Sequence, residues 1–111
     1  MEITSTPFKR CDLVKTVGRI DSGTAPRLQE AVDLITEAGR FKIVIDLSGV
    51  EFMSSAGLRV LVNTQKNCKR FNRGEVVLAS VPSNICAALD LAGFVPLFKI
   101  FDDVTSAVGY F

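Results

Sequence analysis

The segment Phe41–Leu47, which reads Phe-Lys-Ile-Val-Ile-Asp-Leu, constrains the fold more than any other part of the chain. A strand with one face in water alternates apolar and polar residues, whereas this segment is almost continuously apolar. It therefore predicts a central strand that is covered on both faces, as in a parallel sheet flanked by helices. The pair Ser48-Gly49 is typical of a turn and is expected to end this strand.

Strand-like and helix-like patterns alternate along the rest of the chain, and Gly and Pro residues mark the boundaries between them. The predicted elements are strands at Ile3–Phe8 and Asp12–Ile20, a helix at Thr24–Gly39, the strand at Phe41–Leu47, a helix from Ser55 to about Phe71, a strand at Glu75–Ser80, a helix at Pro82–Leu91, a strand at Leu97–Phe101 and a helix from Asp103 onward. The order β-β-α-β-α-β-α-β-α predicts one α/β domain over residues 1–111, with an antiparallel first pair in a mixed sheet.

The composition argues against catalysis by the chain itself. It has 111 residues and no His, so neither a Ser-His nor a Cys-His catalytic pair can be formed. Neither a phosphate-binding P-loop nor a cysteine pair with zinc-ligand spacing occurs. We therefore expect no enzymatic activity, no cofactor and no metal site.

Charge and hydropathy limit the kinds of partner. The 13 Lys and Arg nearly balance 12 Asp and Glu, so no direct binding to nucleic acid is expected. No apolar run reaches the roughly 20 residues that span a bilayer, so no membrane insertion is expected. The segment Met1–Thr6 lacks the pattern of a signal peptide, which favours a cytoplasmic protein. Cys11, Cys68 and Cys86 are odd in number and widely spaced, which predicts packed, reduced thiols.

A basic run lies between Arg59 and Arg73, with five positive residues and no acidic one. Phe71 is its one aromatic residue. This pattern favours a solvated helix face, and an acidic protein partner is the alternative.

The stretch Ile43–Leu58 contains the residues that could carry chemistry. Asp46 is placed at the end of the predicted central strand, and Ser54 and Ser55 arrive where the next helix begins. Such a position puts a serine among unpaired N–H groups at the positive end of a helix, where a phosphate is favoured. The alternative from spacing alone is a serine that caps the helix with its side chain.

Two stretches resemble the STAS family, which is named for sulfate transporters and anti-sigma factor antagonists. Asp46–Leu58, with its Asp-Leu-Ser, a Phe and the ending Ser-Ser-Ala-Gly-Leu, is similar to the motif of single-domain bacterial members. Gly18–Leu28 resembles the family's loop between the second strand and the first helix. The similarity extends over nearly all of the chain, and the predicted element order is that of the family.

The resemblance implies which residues form the site. The phosphorylated serine of anti-sigma factor antagonists stands two positions before the motif glycine, which is Ser55 here. Some members have Asp immediately before the phosphorylated serine. This chain has Ser54 there, and the second hydroxyl makes Ser54 a rival acceptor. Asp21 matches an acidic position associated with kinase binding or phosphorylation, with a turn-capping role as the alternative. Asp46 matches the acid at the end of the central strand, with hydrogen bonding to loop amides as the alternative.

Two further positions belong to the expected partner-binding surface. Gly57 is expected to allow close packing or backbone approach at the start of the helix. Arg59 follows Ser55 by four residues, about one helical turn, and is expected to face an acidic patch of the partner.

The resemblance implies an anti-sigma factor antagonist that acts by partner switching. Its unphosphorylated form would bind an anti-sigma serine kinase, phosphorylation would end the complex, and a phosphoserine phosphatase would reset the chain. ATP and magnesium would belong to the kinase. The alternative is a STAS-type docking subunit of a membrane transport complex.

Overall fold

A computed structural model describes all 111 residues and contains five strands and four α-helices. The strands are β1 (Glu2–Pro7), β2 (Asp12–Ile20), β3 (Lys42–Met53), β4 (Glu75–Ala79) and β5 (Lys99–Phe101). The helices are α1 (Ala25–Glu37), α2 (Ser55–Lys69), α3 (Ser83–Leu91) and α4 (Val104–Tyr110), with short 3-10 turns at Arg70–Asn72 and Val95–Leu97. None of the helices has the length and apolar character needed to cross a membrane. The predicted α/β class and element order are confirmed.

The strands form one mixed sheet in the order β1-β2-β3-β4-β5. β1 pairs antiparallel with β2, and the remaining three pairs are parallel. Parallel neighbours need crossover connections, which the helices provide. A core cluster of 21 buried residues lies under α1, α2 and α3, and a cluster of five lies under α4 on the other face.

The apolar run in β3 is buried on both sides, as predicted. Ile43, Val44 and Ile45 have no exposed surface. Ile43 and Ile45 belong to the larger core, whereas Val44 belongs to the smaller one, because successive side chains of a strand point to opposite faces. Full burial of one such side chain contributes about 1.5–3 kcal/mol, so β3 anchors both halves of the domain.

The expected turn at Ser48-Gly49 is wrong, because β3 continues through both residues to Met53. Asp46 pairs with Lys15, and the next pair is Gly49 with Val17, so β3 carries an extra residue there. A bulge of this kind bends a strand without ending its pairing. A second irregularity follows between Gly18 and Arg19. Asp46 therefore lies inside β3 and not at its end, since β2 continues to pair with β3 beyond it.

Among the element boundaries that differ from the prediction, two have a clear backbone cause. α2 ends at Lys69, because Phe71 and Asn72 have φ values of 60° and 56°, which no α-helix can continue. The last strand begins at Lys99, because the Pro96 segment forms a 3-10 turn before it. Proline fixes φ and lacks the N–H that a strand ladder would use.

All three cysteines are free thiols, in agreement with the prediction. Cys11 and Cys68 are buried and Cys86 is half-buried. Burial raises the pKa of Cys68 to about 11, so this thiol is protonated at neutral pH and behaves as a small apolar side chain.

Gly57 sets the contact between the start of α2 and the ends of β2 and β3. It is buried, and a Cβ at this position would lie 2.7 Å from Ile20 Cγ2 and 2.7 Å from Met53 Cγ. Carbon atoms do not approach so closely without displacement. This is the close packing expected of Gly57, and it fixes where α2 can begin.

Gly57→Ala should therefore lower the free energy of unfolding by about 1–3 kcal/mol, the usual cost of overpacking a core. The matched control is Gly109→Ala in α4, where an added Cβ has no neighbour within 4 Å. Urea denaturation of both variants measures the difference. Equal stability of the two variants would show that α2 is not seated tightly on the strand ends.

Candidate functional site

The ends of β2 and β3 lie side by side, so the loops that follow them share one surface. Ile20 pairs with Met53 in the parallel register, and the Ser54 N–H donates to the Ile20 carbonyl at 2.8 Å. Asp21 and Ser55 are the next residues along the two segments. The structure thus brings Asp21 and Ser55 together at the carboxyl ends of parallel strands, where α/β sheets place their binding sites.

Ser54 and Ser55 have different environments. Ser54 has extended backbone angles (φ −80°, ψ 173°), and its carbonyl accepts the first helical bond, from the Leu58 N–H at 3.0 Å. The Ser54 hydroxyl oxygen is buried without a hydrogen-bond partner, so its side chain does not cap the helix. Ser55 is the first residue of α2 and is exposed. The side-chain cap that spacing alone favoured is therefore wrong.

The start of α2 keeps its positive partial charge. The helix is 15 residues long and has no acidic residue in its first turn. The N–H groups of Ser55, Ala56 and Gly57 precede the first helical bond and so have no carbonyl partner within the helix. A negative group near this helix end would be stabilised by about 0.3–1 kcal/mol.

Asp21 closes the turn that leads into α1. Its Oδ1 accepts from the N–H groups of Gly23 and Thr24, both at 3.0 Å. In return, the Asp21 N–H donates to the Thr24 hydroxyl at 2.9 Å. The hydrogen bond from the Thr24 N–H is the largest of the effects that hold the pKa of Asp21 below its usual value. The turn-capping role of Asp21 is thus confirmed, and it is carried by Oδ1. The other carboxylate oxygen, Oδ2, has no hydrogen-bond partner in the protein.

Asp46 is not part of this surface. It is 5% exposed, and its carboxylate accepts from the Ser48 N–H at 2.9 Å. That N–H lies at the bulge of β3, where one residue has no counterpart on β2. Hydrogen bonding to a nearby amide, the alternative role for Asp46, is therefore what the structure shows, and it supports the extension of β3.

Arg59 lines a groove between α1 and α2, next to Ser55. The groove has a volume of about 320 Å³ and is lined by Ser22, Ala25, Pro26, Gln29, Ala56, Arg59, Val60 and Asn63. Arg59 is exposed and is not part of the chain's one ion pair, which joins Arg40 to Asp12. Pro26 and Gln29 were not expected at the site, because they join it only when α1 packs against α2.

An exposed aromatic residue also lies near these loops. Phe52 is 38% exposed, and the Arg19 guanidinium stacks 4.5 Å from the centre of its ring. These residues pair across β2 and β3 immediately before Ile20 and Met53. Phe52 was not predicted as a surface residue of the site, because the segment after Leu47 was expected to be a loop. The alternation of side chains between the two faces of a strand was therefore not applied to it.

The side chains at this end of the sheet suit protein recognition and hydroxyl modification better than metal binding. No group of three or more His, Cys, Asp or Glu side chains lies close enough to hold a metal ion. The Asp21 carboxylate bonds to backbone N–H groups within its own turn. An exposed hydroxyl, a free carboxylate oxygen and a guanidinium remain available.

Comparison with known proteins identifies the family. The STAS domain profile matches residues 8–107, and the chain therefore belongs to the STAS domain family. The anti-sigma-F factor antagonist RsfB of Mycobacterium tuberculosis is 34% identical to it over 92 residues, which are 82% of this chain and 73% of RsfB.

Solved structures show the same fold. An anti-sigma factor antagonist from Mycobacterium paratuberculosis superposes with a TM-score of 0.87 at 24% identity, covering 98% of this chain and 92% of that chain. The Bacillus cell fate determinant SpoIIAA in its phosphorylated form has a TM-score of 0.78 at 12% identity, covering 98% of both chains. At these identities the likeness concerns the fold alone.

Asp21→Asn should remove the charge and keep the turn, because an amide oxygen can accept the same N–H bonds. Folding lowers the pKa of this carboxylate below its ordinary value of 3.8. The charged Asp21 therefore stabilises the folded chain above pH 3.8, and this stabilisation is lost as the pH falls through the pKa of the folded state. The melting temperature of the wild-type chain should therefore exceed that of the Asp21→Asn variant at neutral pH. This difference in melting temperature should shrink below pH 3.8.

Asp102→Asn, at another exposed aspartate, is the matched control. The charged role of Asp21 in the turn would be contradicted if the melting temperatures of the Asp21→Asn variant and the wild-type chain differed by the same amount at neutral and acidic pH.

Proposed function

We propose that this STAS domain is an anti-sigma factor antagonist that acts by partner switching. In its unphosphorylated form it binds an anti-sigma serine kinase, and phosphorylation of Ser55 ends that complex. A phosphoserine phosphatase then restores the binding form. The observation that carries the proposal is the exposure of Ser55 at the start of α2, beside a neighbouring serine whose hydroxyl is buried.

The relatives support the same class of function. RsfB is named an anti-sigma-F factor antagonist, and SpoIIAA has been solved in a phosphorylated form. The chain itself is then a kinase substrate and a binding module, whereas ATP and magnesium belong to the kinase. It needs no cofactor of its own.

Accessibility favours Ser55 over Ser54 as the acceptor. Phosphoryl transfer needs the acceptor oxygen in line with the γ-phosphate of ATP, within the active site of the kinase. The Ser54 oxygen is buried, and the Ser54 N–H is bonded to the Ile20 carbonyl. Exposing the Ser54 hydroxyl would require the junction of β3 and α2 to open, whereas Ser55 requires no such change.

The kinase is proposed to dock across the groove between α1 and α2. Arg59 supplies an unpaired cation there, and the free Oδ2 of Asp21 supplies an acceptor for a donor on the kinase. Ser22 and Asn63 add polar groups to the same groove. The Arg19–Phe52 pair offers an apolar contact near the groove.

A phosphate on Ser55 is proposed to act on the interface and not on the fold. It adds about 1.5 to 2 negative charges at the end of α2, where the helix dipole is favourable by about 0.3–1 kcal/mol. That term is small beside a domain stability of about 5–15 kcal/mol. A desolvated or like charge at an interface costs several kcal/mol, and each 1.4 kcal/mol weakens binding about tenfold.

A docking subunit of a membrane transport complex would use the same fold. That role needs a binding surface but no accessible phosphoacceptor. The exposure of Ser55 therefore favours partner switching over the transport role.

Incubation with the cognate kinase and ATP should place one phosphate on Ser55, located by mass spectrometry. Ser55→Ala should bind the kinase and resist release by ATP, whereas Ser54→Ala, the matched control, should be phosphorylated and released. Ser55→Asp should bind at least about tenfold more weakly, with near-native circular dichroism and melting temperature. A phosphate on Ser54, or release of the Ser55→Ala variant, would overturn the assignment.

Arg59→Ala should weaken binding of the unphosphorylated chain to the kinase about twofold to fivefold, as expected for one exposed charge pair. The effect should decrease as the salt concentration rises, because salt screens exposed charges. Lys66→Ala, at an exposed position two turns further along α2, is the control. Isothermal titration calorimetry at two salt concentrations tests this role, and an Arg59→Ala effect equal to that of Lys66→Ala would refute it.

A further inference from the structure

A cationic cavity lies at the opposite end of the sheet from Ser55. It has a volume of about 180 Å³, and the chemistry-bearing side chains in its wall are Arg10, Asp12, Arg40, Lys42 and Arg73. These are four cations and one carboxylate in a chain whose net charge is only +1. We propose that this cavity is a binding site for a phosphate group.

Arg40 is held in place by one edge of its guanidinium. Its Nε donates to Asp12, and its Nη2 donates to the carbonyls of Phe8 at 2.6 Å and Cys11 at 3.1 Å. The Asp12 side chain is 9% exposed, and its ion pair with Arg40 neutralises the one acid in the cavity wall. The Nη1 group of Arg40 has no hydrogen-bond partner in the protein.

Arg73 is held in the same manner, but by neutral acceptors. Its Nε donates to the Arg70 carbonyl at 3.1 Å, and its Nη2 donates to the carbonyl and side chain of Asn67 at 2.6 and 2.8 Å. Its guanidinium also stacks 3.8 Å from the centre of the Phe41 ring. Arg73 therefore presents a fixed, uncompensated positive charge with its Nη1 unbonded.

Two exposed cations complete the set. Arg10 and Lys42 are exposed, and neither takes part in an ion pair. They can move to a ligand, whereas Arg40 and Arg73 are already oriented. A fixed pair of guanidinium groups flanked by flexible cations is suited to a multiply charged oxyanion.

Hydrogen bonds offset part of the negative charge that the nearby helix ends carry. α1 and α2 both direct their C-termini toward this end of the sheet, and free carbonyls there would repel negative charge. Three of the carbonyls near the end of α1 accept from the N–H groups of Ala38, Gly39 and Arg40. The Asn67 carbonyl at the end of α2 accepts from Arg73. These carbonyls are therefore already paired, which weakens the repulsion of an anion.

A phosphate group matches the cavity better than a single carboxylate. Arg10, Lys42 and Arg73 remain without a counter-ion, and a phosphate monoester carries about 1.5 to 2 negative charges at neutral pH. It also has enough oxygens to accept from both Nη1 groups and from a flexible cation at once. The phosphate can come from inorganic phosphate or from a phosphorylated residue of a protein.

Nuclear magnetic resonance of the full chain, titrated with sodium phosphate at constant ionic strength, tests the site. The amide signals of Gly39–Lys42 and Arg73 should shift and saturate, and that of Ser55 should not. Lys42→Gln and Arg10→Gln should each raise the dissociation constant about twofold to fivefold, as expected for one exposed charge pair. Lys15→Gln, which removes the same charge from an exposed position in β2, should leave it unchanged.

Two peptide arms identify the source of the phosphate. Gly-phosphoserine-Gly should compete with inorganic phosphate, and tighter binding of the peptide would identify a phosphorylated protein as the source. Binding of triglutamate as tight as that of phosphate would refute a phosphate site. Amide shifts that grow linearly with phosphate concentration, or that are equal in all variants, would also refute it. Ser55→Ala should bind phosphate normally, so this site can fail or hold independently of the partner-switching role.

Discussion

The parallel pairing of β2 with β3 is the constraint on which the proposed regulatory surface depends. β4 pairs with β3 only as far as Asp46, whereas β2 continues to pair with β3 up to Met53. The last link is the hydrogen bond from the Ser54 N–H to the Ile20 carbonyl. It places the loop after β2 and the start of α2 at the same end of the sheet. Without this extension, the turn at Asp21 and the serine at the head of α2 would belong to separate surfaces.

The fold could be predicted from the sequence wherever the pattern depends on burial. The apolar run in β3 indicated a strand covered on both faces, and the period of about four residues indicated α1 and α2. The pattern failed at Ser48-Gly49, whose residue types favour a turn in isolation. There the pairing with β2 and the bond from Ser48 to the Asp46 carboxylate stabilise a bulge instead. Local preference was overridden by a partner strand that is about 30 residues away in the chain.

The candidate site could be predicted as a list of residues but not as a geometry. The motif placed two hydroxyls at a helix start, and spacing alone favoured a side-chain cap. Whether a serine caps, is buried or faces water depends on how the helix is seated. That seating is set by Gly57, which lies against Ile20 and Met53. The result is a buried Ser54 hydroxyl and an exposed Ser55, a distinction that no spacing rule contains.

α2 connects the two ends of the domain, and its anchoring determines whether they can influence each other. At about 1.5 Å per residue, its 15 residues span roughly 22 Å between Ser55 and the segment that holds Arg73. In its middle, the buried Gln65 donates to the Val76 carbonyl at 2.9 Å and accepts from the Val76 N–H at 2.7 Å. Sliding the helix would break these buried bonds and the contacts at Gly57 together. A ligand shifts a conformational equilibrium only as far as it prefers one state over another. Any second position of this helix would lose all of these contacts. The proposed phosphorylation of Ser55 and the proposed anion binding at the other end of α2 are therefore expected to act independently.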